Sequence, residues 1–174
     1  MSEDARVWPA SAGALCGLRI LDFTTLLPGP FATMQLADMG AEVLRVTTAT
    51  RPDLLDTLPP LLEGERYSAA AAQLGRNKRS VLLNLREPAA IAVVKKLVSA
   101  YDIVIEQFRP GVMEKLGLGY EALSAVNPRL IYCALTGYGH GNSMSRRAGH
   151  DINYLSLGGV AGYSGRRAEG PSPD

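Results

Sequence analysis

Five short apolar runs, with helix-like segments and turns between them, leave this chain few folds to choose from. The runs are Leu18 to Phe23, Glu42 to Val46, Ser80 to Leu85, Asp102 to Phe108 and Leu130 to Leu135. Between the first two, Phe31 to Met39 carries apolar Phe31, Met34, Leu36 and Ala37, and Gly40 follows as a natural stop for a helix. Between the third and fourth, Pro88 suits a first helical position, and Ile91, Val94, Leu97 and Val98 recur at helical spacing, with Lys95 and Lys96 on the wet side. Tyr120 to Val126 supplies a further short helix, stopped before Pro128. Strands alternating with helices predict an α/β fold, a Rossmann-like, mostly parallel sheet with helices on both faces. Such sheets bind ligands beyond the carboxyl ends of their strands, and Arg45, Arg109 and the Gly137–Gly141 loop lie at or near those ends.

The length, 174 residues with 47% apolar, suffices for one domain with a real core. A net charge of +1 gives no global field for nucleic acid, so any anion needs a local cluster. Cys16 and Cys133 are far apart, and Cys133 sits in a strand-like run, which predicts a reduced core thiol rather than a disulfide. His140 and His150 show no ligand spacing, so no metal is expected. No run approaches the ~18 apolar residues of a membrane-spanning helix. Glu3 and Asp4 fit no secretory leader, which points to an intracellular protein. Residues 1–14 are expected to form an N-terminal extension, 15–165 the large α/β domain and 166–174 a loose tail. Within the domain, Pro52, Pro59 and Pro60 break the stretch from Thr47 to Ala72, which is expected to be a surface excursion.

The turn after the first run, Thr24 to Pro30, lacks the glycine fingerprint of a dinucleotide site, and Gly137-x-Gly139-x-Gly141 has the wrong place and spacing for one. There is no phosphate loop of the nucleotidase type. The chemistry concentrates instead in Gly149-His150-Asp151-Ile152-Asn153-Tyr154. Here an imidazole, able to take or give a proton near neutrality, stands beside a carboxylate at the start of an apolar run expected to anchor in a core. Two readings stay open: a proton-transfer site at an element's N-terminus, or His150 and Asp151 simply capping that element. Arg76, Lys78 and Arg79 likewise read either as phosphate partners or as a solvated turn.

Several segments in order resemble the class III CoA-transferase and alpha-methylacyl-CoA racemase superfamily over about residues 15 to 165. They are Leu18–Phe23, Leu27–Phe31, Leu36–Val46, Asn77–Leu85, Phe108–Val112, Asn127–Tyr132 and Gly149–Tyr154. The last resembles the racemase branch. The resemblance implies that His150 is one of two bases flanking the α-carbon of an acyl-CoA, with Asp151 orienting it or lining the pocket. It implies that Arg109 contacts CoA, that Leu83, Asn84, Leu85 and Arg86 line the nucleotide, and that Gly149 and Tyr154 border the same ligand; Lys78 and Arg79 are added as phosphate partners. Coenzyme A would enter as part of the substrate, with no prosthetic group. Where relatives often carry an arginine after the second strand this chain has Thr48, with Arg51 as a substitute. The resemblance further implies an interlocked homodimer, and a second catalytic carboxylate, or a transferase's nucleophilic aspartate, in a segment beyond residue 174; Asp174 is not assigned that role. The chain is therefore expected to be incomplete relative to the family, lacking its small domain and impaired alone. CoA transfer between acids and a non-catalytic CoA-binding or dimerising fragment are the alternatives. The expected compartment is the cytoplasm, or the mitochondrion or peroxisome in a eukaryote.

Overall fold

The structure is a computed structural model that describes residues 13–50, 52–62, 64 and 67–163. Arg51 and the 166–174 tail, like most of the 1–14 extension, lie outside the described residues. The chain divides into two units, at Leu135 and Thr136.

The first unit is a five-stranded parallel sheet built from β1 (Arg19–Asp22), β2 (Glu42–Thr47), β3 (Lys78–Leu82), β4 (Ile103–Glu106) and β5 (Ile131–Ala134). The strand order is β3-β2-β1-β4-β5, and every pairing is parallel. Alternation along each strand sends side chains to opposite faces. Leu21 and Val104 join one buried cluster with Val94 and Val98 of α3 (Pro88–Val98). Ile20 and Ile105 join another, with Ala37 of α1 (Pro28–Asp38). The expected α/β sheet with helices on both faces is what forms.

Local chemistry explains α1. Pro28 opens it, three residues before the expected start at Phe31, because at a first helical position the missing N–H costs nothing. Gly40, at φ +102°, closes it: Gly40 N–H donates to Ala37 O and Ala41 N–H to Leu36 O, the paired bonds of a left-handed C-terminal cap. The Thr47–Ala72 stretch is less of a surface excursion than expected. Its 3-10 turn, Leu54–Thr57, and the helix α2 (Ala69–Gly75) bury Leu55 and Leu74 against Met34. Ser68 caps α2, its Oγ accepting from Ala71 N–H.

Three expectations need correcting. First, β3 starts at Lys78, so Lys78 and Arg79 belong to a strand and not to a turn, while Leu83 to Leu85 follow it. Second, Cys133 is exposed because β5 ends the strand order, with Ile131 58% exposed beside it. Third, a helical turn, α4 (Val112–Lys115), precedes α5 (Tyr120–Ser124) and buries Met113, a turn that the sequence reading left out.

Tyr132 of β5 has its hydroxyl pushed well above the usual tyrosine range, first by burial and then by the carboxylates of Glu106 and Glu114. An unfolded tyrosine ionises near pH 10. Above that pH the unfolded state loses a proton that the folded state keeps, so stability falls as pH rises. Tyr132→Phe is expected to flatten this alkaline limb, measured as denaturant midpoint against pH.

Candidate functional site

In a parallel sheet all carboxyl ends share one edge. Order β3-β2-β1-β4-β5 reverses direction between β1 and β4, the switch point at which sheets of this kind generally bind their ligands. The loops leaving β1 and β4 at this point are Thr24 to Leu27 and Gln107 to Arg109. Gln107 Nε2 ties them together, donating to Thr25 O at 2.6 Å. Arg109 is exposed, and its guanidinium has no partner among the described residues. On the other side of the switch, Leu83–Arg86 leaves β3. Leu83 N–H donates to Thr47 O, Arg86 N–H to Asn84 Oδ1 at 3.2 Å, and Asn84 Nδ2 to Glu87 Oε1 at 3.4 Å. This turn is thereby shaped by its own asparagine, with Arg86 exposed at its end. Arg79 sits half-buried in β3.

Lys78 lies elsewhere than a phosphate partner would. Its side chain is 2% exposed, and Nζ donates to Pro30 O at 2.8 Å and Thr33 Oγ1 at 2.7 Å, and approaches Asp22 Oδ2 at 3.5 Å. Burial pushes its pKa down, against the opposing pull of Asp22. Asp22 is fully buried at the end of β1. It accepts from Thr24 N–H and from the hydroxyls of Thr24 and Thr33. Lys78 and Asp22 thus lock the first turn of α1 to the sheet. Arg45 is likewise committed internally: it lies within β2 and pairs with the buried Asp53. The sequence reading missed Asp22 and Asp53. A carboxylate ending the apolar run Arg19–Asp22, followed by two threonines, is the signal that could have flagged the first.

The second unit carries Gly149 to Tyr154. His150 is the residue before α6 (Asp151–Leu157), with extended backbone, and Asn153 Oδ1 accepts its N–H at 2.9 Å. His150 and Asp151 are exposed. Contrary to expectation, α6 anchors in no core: none of its residues is buried, and Leu157 is 64% exposed. What fixes the segment is Tyr154. Its hydroxyl donates to Gly149 O at 2.9 Å, and its ring meets Tyr138 edge-on, centroids 5.2 Å apart. A Cβ on Gly137 would lie 2.3 Å from that ring, and one on Gly149 2.6 Å from the Tyr138 hydroxyl. Both glycines are there because the two rings fill the space. Gly137→Ala is expected to expel the Tyr154 ring and weaken this unit by about 1–3 kcal/mol, read as faster amide exchange across Asp151–Leu157 with the sheet unaffected.

Among the described residues no group of three or more His, Cys, Asp or Glu is placed to hold a metal, and no helix is long and apolar enough to cross a membrane.

The chain is an α/β protein built on a five-stranded parallel sheet, with a separate unit that carries His150 ahead of a short helix. The chain belongs to CoA-transferase family III, whose model matches residues 15–173. It is 47% identical over 158 residues to alpha-methylacyl-CoA racemase of Homo sapiens, across 91% of this chain and 37% of that protein. It is also 40% identical over 152 residues to succinyl-CoA:glutarate CoA-transferase of Mus musculus, across 86% of this chain and 34% of that one. Among solved structures, a CAIB/BAIF family protein from Brucella suis matches with TM-score 0.86 and 36% identity, over 93% of this chain and 43% of that one. The chain spans little more than a third of the curated relatives' length.

Proposed function

We propose that the protein racemises 2-methylacyl thioesters of coenzyme A by moving the α-proton through an enolate. The observation that carries this reading is the exposed His150, held at the start of α6 by the Tyr154–Gly149 bond and the Asn153 cap. The 47% identity to a racemase supports it. A thioester α-proton is a weak acid, so turnover needs a positioned base and stabilisation of the oxygen that gains charge. The neutral imidazole takes the proton, the C–H electron pair moves onto the thioester carbonyl oxygen, and a second acid returns a proton to the opposite face. Asp151 orients the imidazole or lines the pocket. Arg109 and Arg79 meet CoA phosphates, a task suited to a guanidinium fork, and Leu83–Arg86 lines the nucleotide. The thioester is the substrate, with no prosthetic group, and the working unit is a homodimer.

CoA transfer between carboxylic acids is the second reading, favoured by the 40% identity to a transferase. One incubation separates the two: a single epimer of a 2-methylacyl-CoA with an isotopically labelled free acid. Racemisation drives the epimers toward equal amounts and leaves label in the acid. Label appearing in thioester at fixed configuration sinks the proposal.

A further inference from the structure

The loop after β1 is bent in a way its own sequence does not favour. Leu26 adopts φ +60°, a left-handed conformation disfavoured for a residue that carries a side chain. The strain does not serve the core, because Leu26 and Leu27 stay 43% and 61% exposed. What holds the bend is Asp53, 27 residues further on. Leu26 N–H donates to Asp53 Oδ1 at 3.2 Å and Oδ2 at 3.1 Å. The Asp53 side chain is 3% exposed and held from two further sides, accepting from Leu55 N–H at 3.1 Å and from Arg45 Nη2 at 2.5 Å. Arg45 Nε is buried with no partner among the described residues, so the guanidinium tolerates an unmet donor to keep that pair. From the loop after β4, Gln107 fixes the preceding carbonyl, Thr25 O. The loop is therefore clamped from both sides in a strained shape that turns two leucines outward at the switch point.

We propose that Asp53 is a positioning residue: by holding Leu26 left-handed it sets Leu26 and Leu27 as an apolar ledge that receives the acyl chain of the thioester. This role rests on the acyl-CoA reading above. It gives the stretch before α2 a function, since its buried carboxylate sets the shape of a loop far from it in sequence.

The test is calorimetry of the purified full chain with free CoA and with a long-chain 2-methylacyl-CoA, on wild type, Asp53→Ala and Asp53→Asn. Wild type is expected to bind the acyl thioester more tightly than CoA. Asp53→Ala is expected to lose about tenfold or more of that preference, the scale of a misplaced apolar contact, while CoA affinity stays within about twofold. Asp53→Asn, which keeps an acceptor for Leu26 N–H and the shape of the site, is expected to fall between, and it carries the test if Asp53→Ala does not fold. Equal weakening of both ligands assigns Asp53 to general stability and overturns the proposal, as does an unchanged preference. Wild type binding neither ligand overturns the acyl-CoA reading itself, and this role with it.

Discussion

Asp22→Ala is expected to lower unfolding free energy by about 3–5 kcal/mol, the cost of stripping the partner from a buried charge. The Lys78 ammonium has only Pro30 O and Thr33 Oγ1 to fall back on, and at 2% side-chain exposure it has no route to bulk water. Thr24 also loses the acceptor for its N–H and hydroxyl. Denaturant midpoints at constant slope measure the loss. Replacing both charges, Asp22→Ala with Lys78→Met, is expected to recover part of it, because no ion is then left unpaired. The pH dependence has a definite sign. Burial already depresses the Lys78 pKa below the ordinary lysine value of 10.5, and removing Asp22 takes away the main opposing pull. Between the depressed folded value and 10.5 the unfolded chain holds a proton the folded one has released, so the stability of Asp22→Ala rises with pH across that window. A wild-type-like midpoint in Asp22→Ala would show that the pair contributes nothing.

His150→Ala is expected to slow epimer inversion by about 10²–10⁴-fold, the usual contribution of a positioned general base. KM for the thioester should change little, because the imidazole contributes more to the transition state than to ground-state binding. The substitution should leave folding intact: His150 is exposed, and the cap at this helix start runs through its backbone N–H and the Asn153 side chain. Folding loss in His150→Ala, or an equal fall in affinity and rate, would instead make it a structural residue.

The sheet was legible because its apolar runs are short and separated by helix-like segments and turns, and Gly40 marked the end of α1. The start of α1 at Pro28 was not, because a proline-glycine-proline stretch looks like a turn and the helix was expected from Phe31. Strand ends were less so. Asn77 at φ +60° turns the chain straight into β3, so two cations that look like a wet turn enter the strand, and one points inward. Cys133 misled because an apolar run looks the same in an edge strand as in a central one, and only the strand order separates the two cases. Asp53 was illegible for another reason. Its partners, Leu26 and Arg45, are distant in sequence, and no local pattern marks a carboxylate that will accept a backbone N–H 27 residues away. His150 stood out because a histidine next to a carboxylate is a local signature, and so did the glycine before it, whose packing reason, the Tyr138 and Tyr154 rings, only the fold supplies.

In the proposed reaction the imidazole at position 150 removes the proton next to a thioester carbonyl. Its most direct test is mass spectrometry of a 2-methylacyl-CoA incubated with the protein in deuterated water, with no acceptor acid present. One deuterium is expected at the α-carbon, gained with wild type and lost with His150→Ala. Thioester recovered unlabelled from the wild type, or labelled equally by the variant, would contradict it.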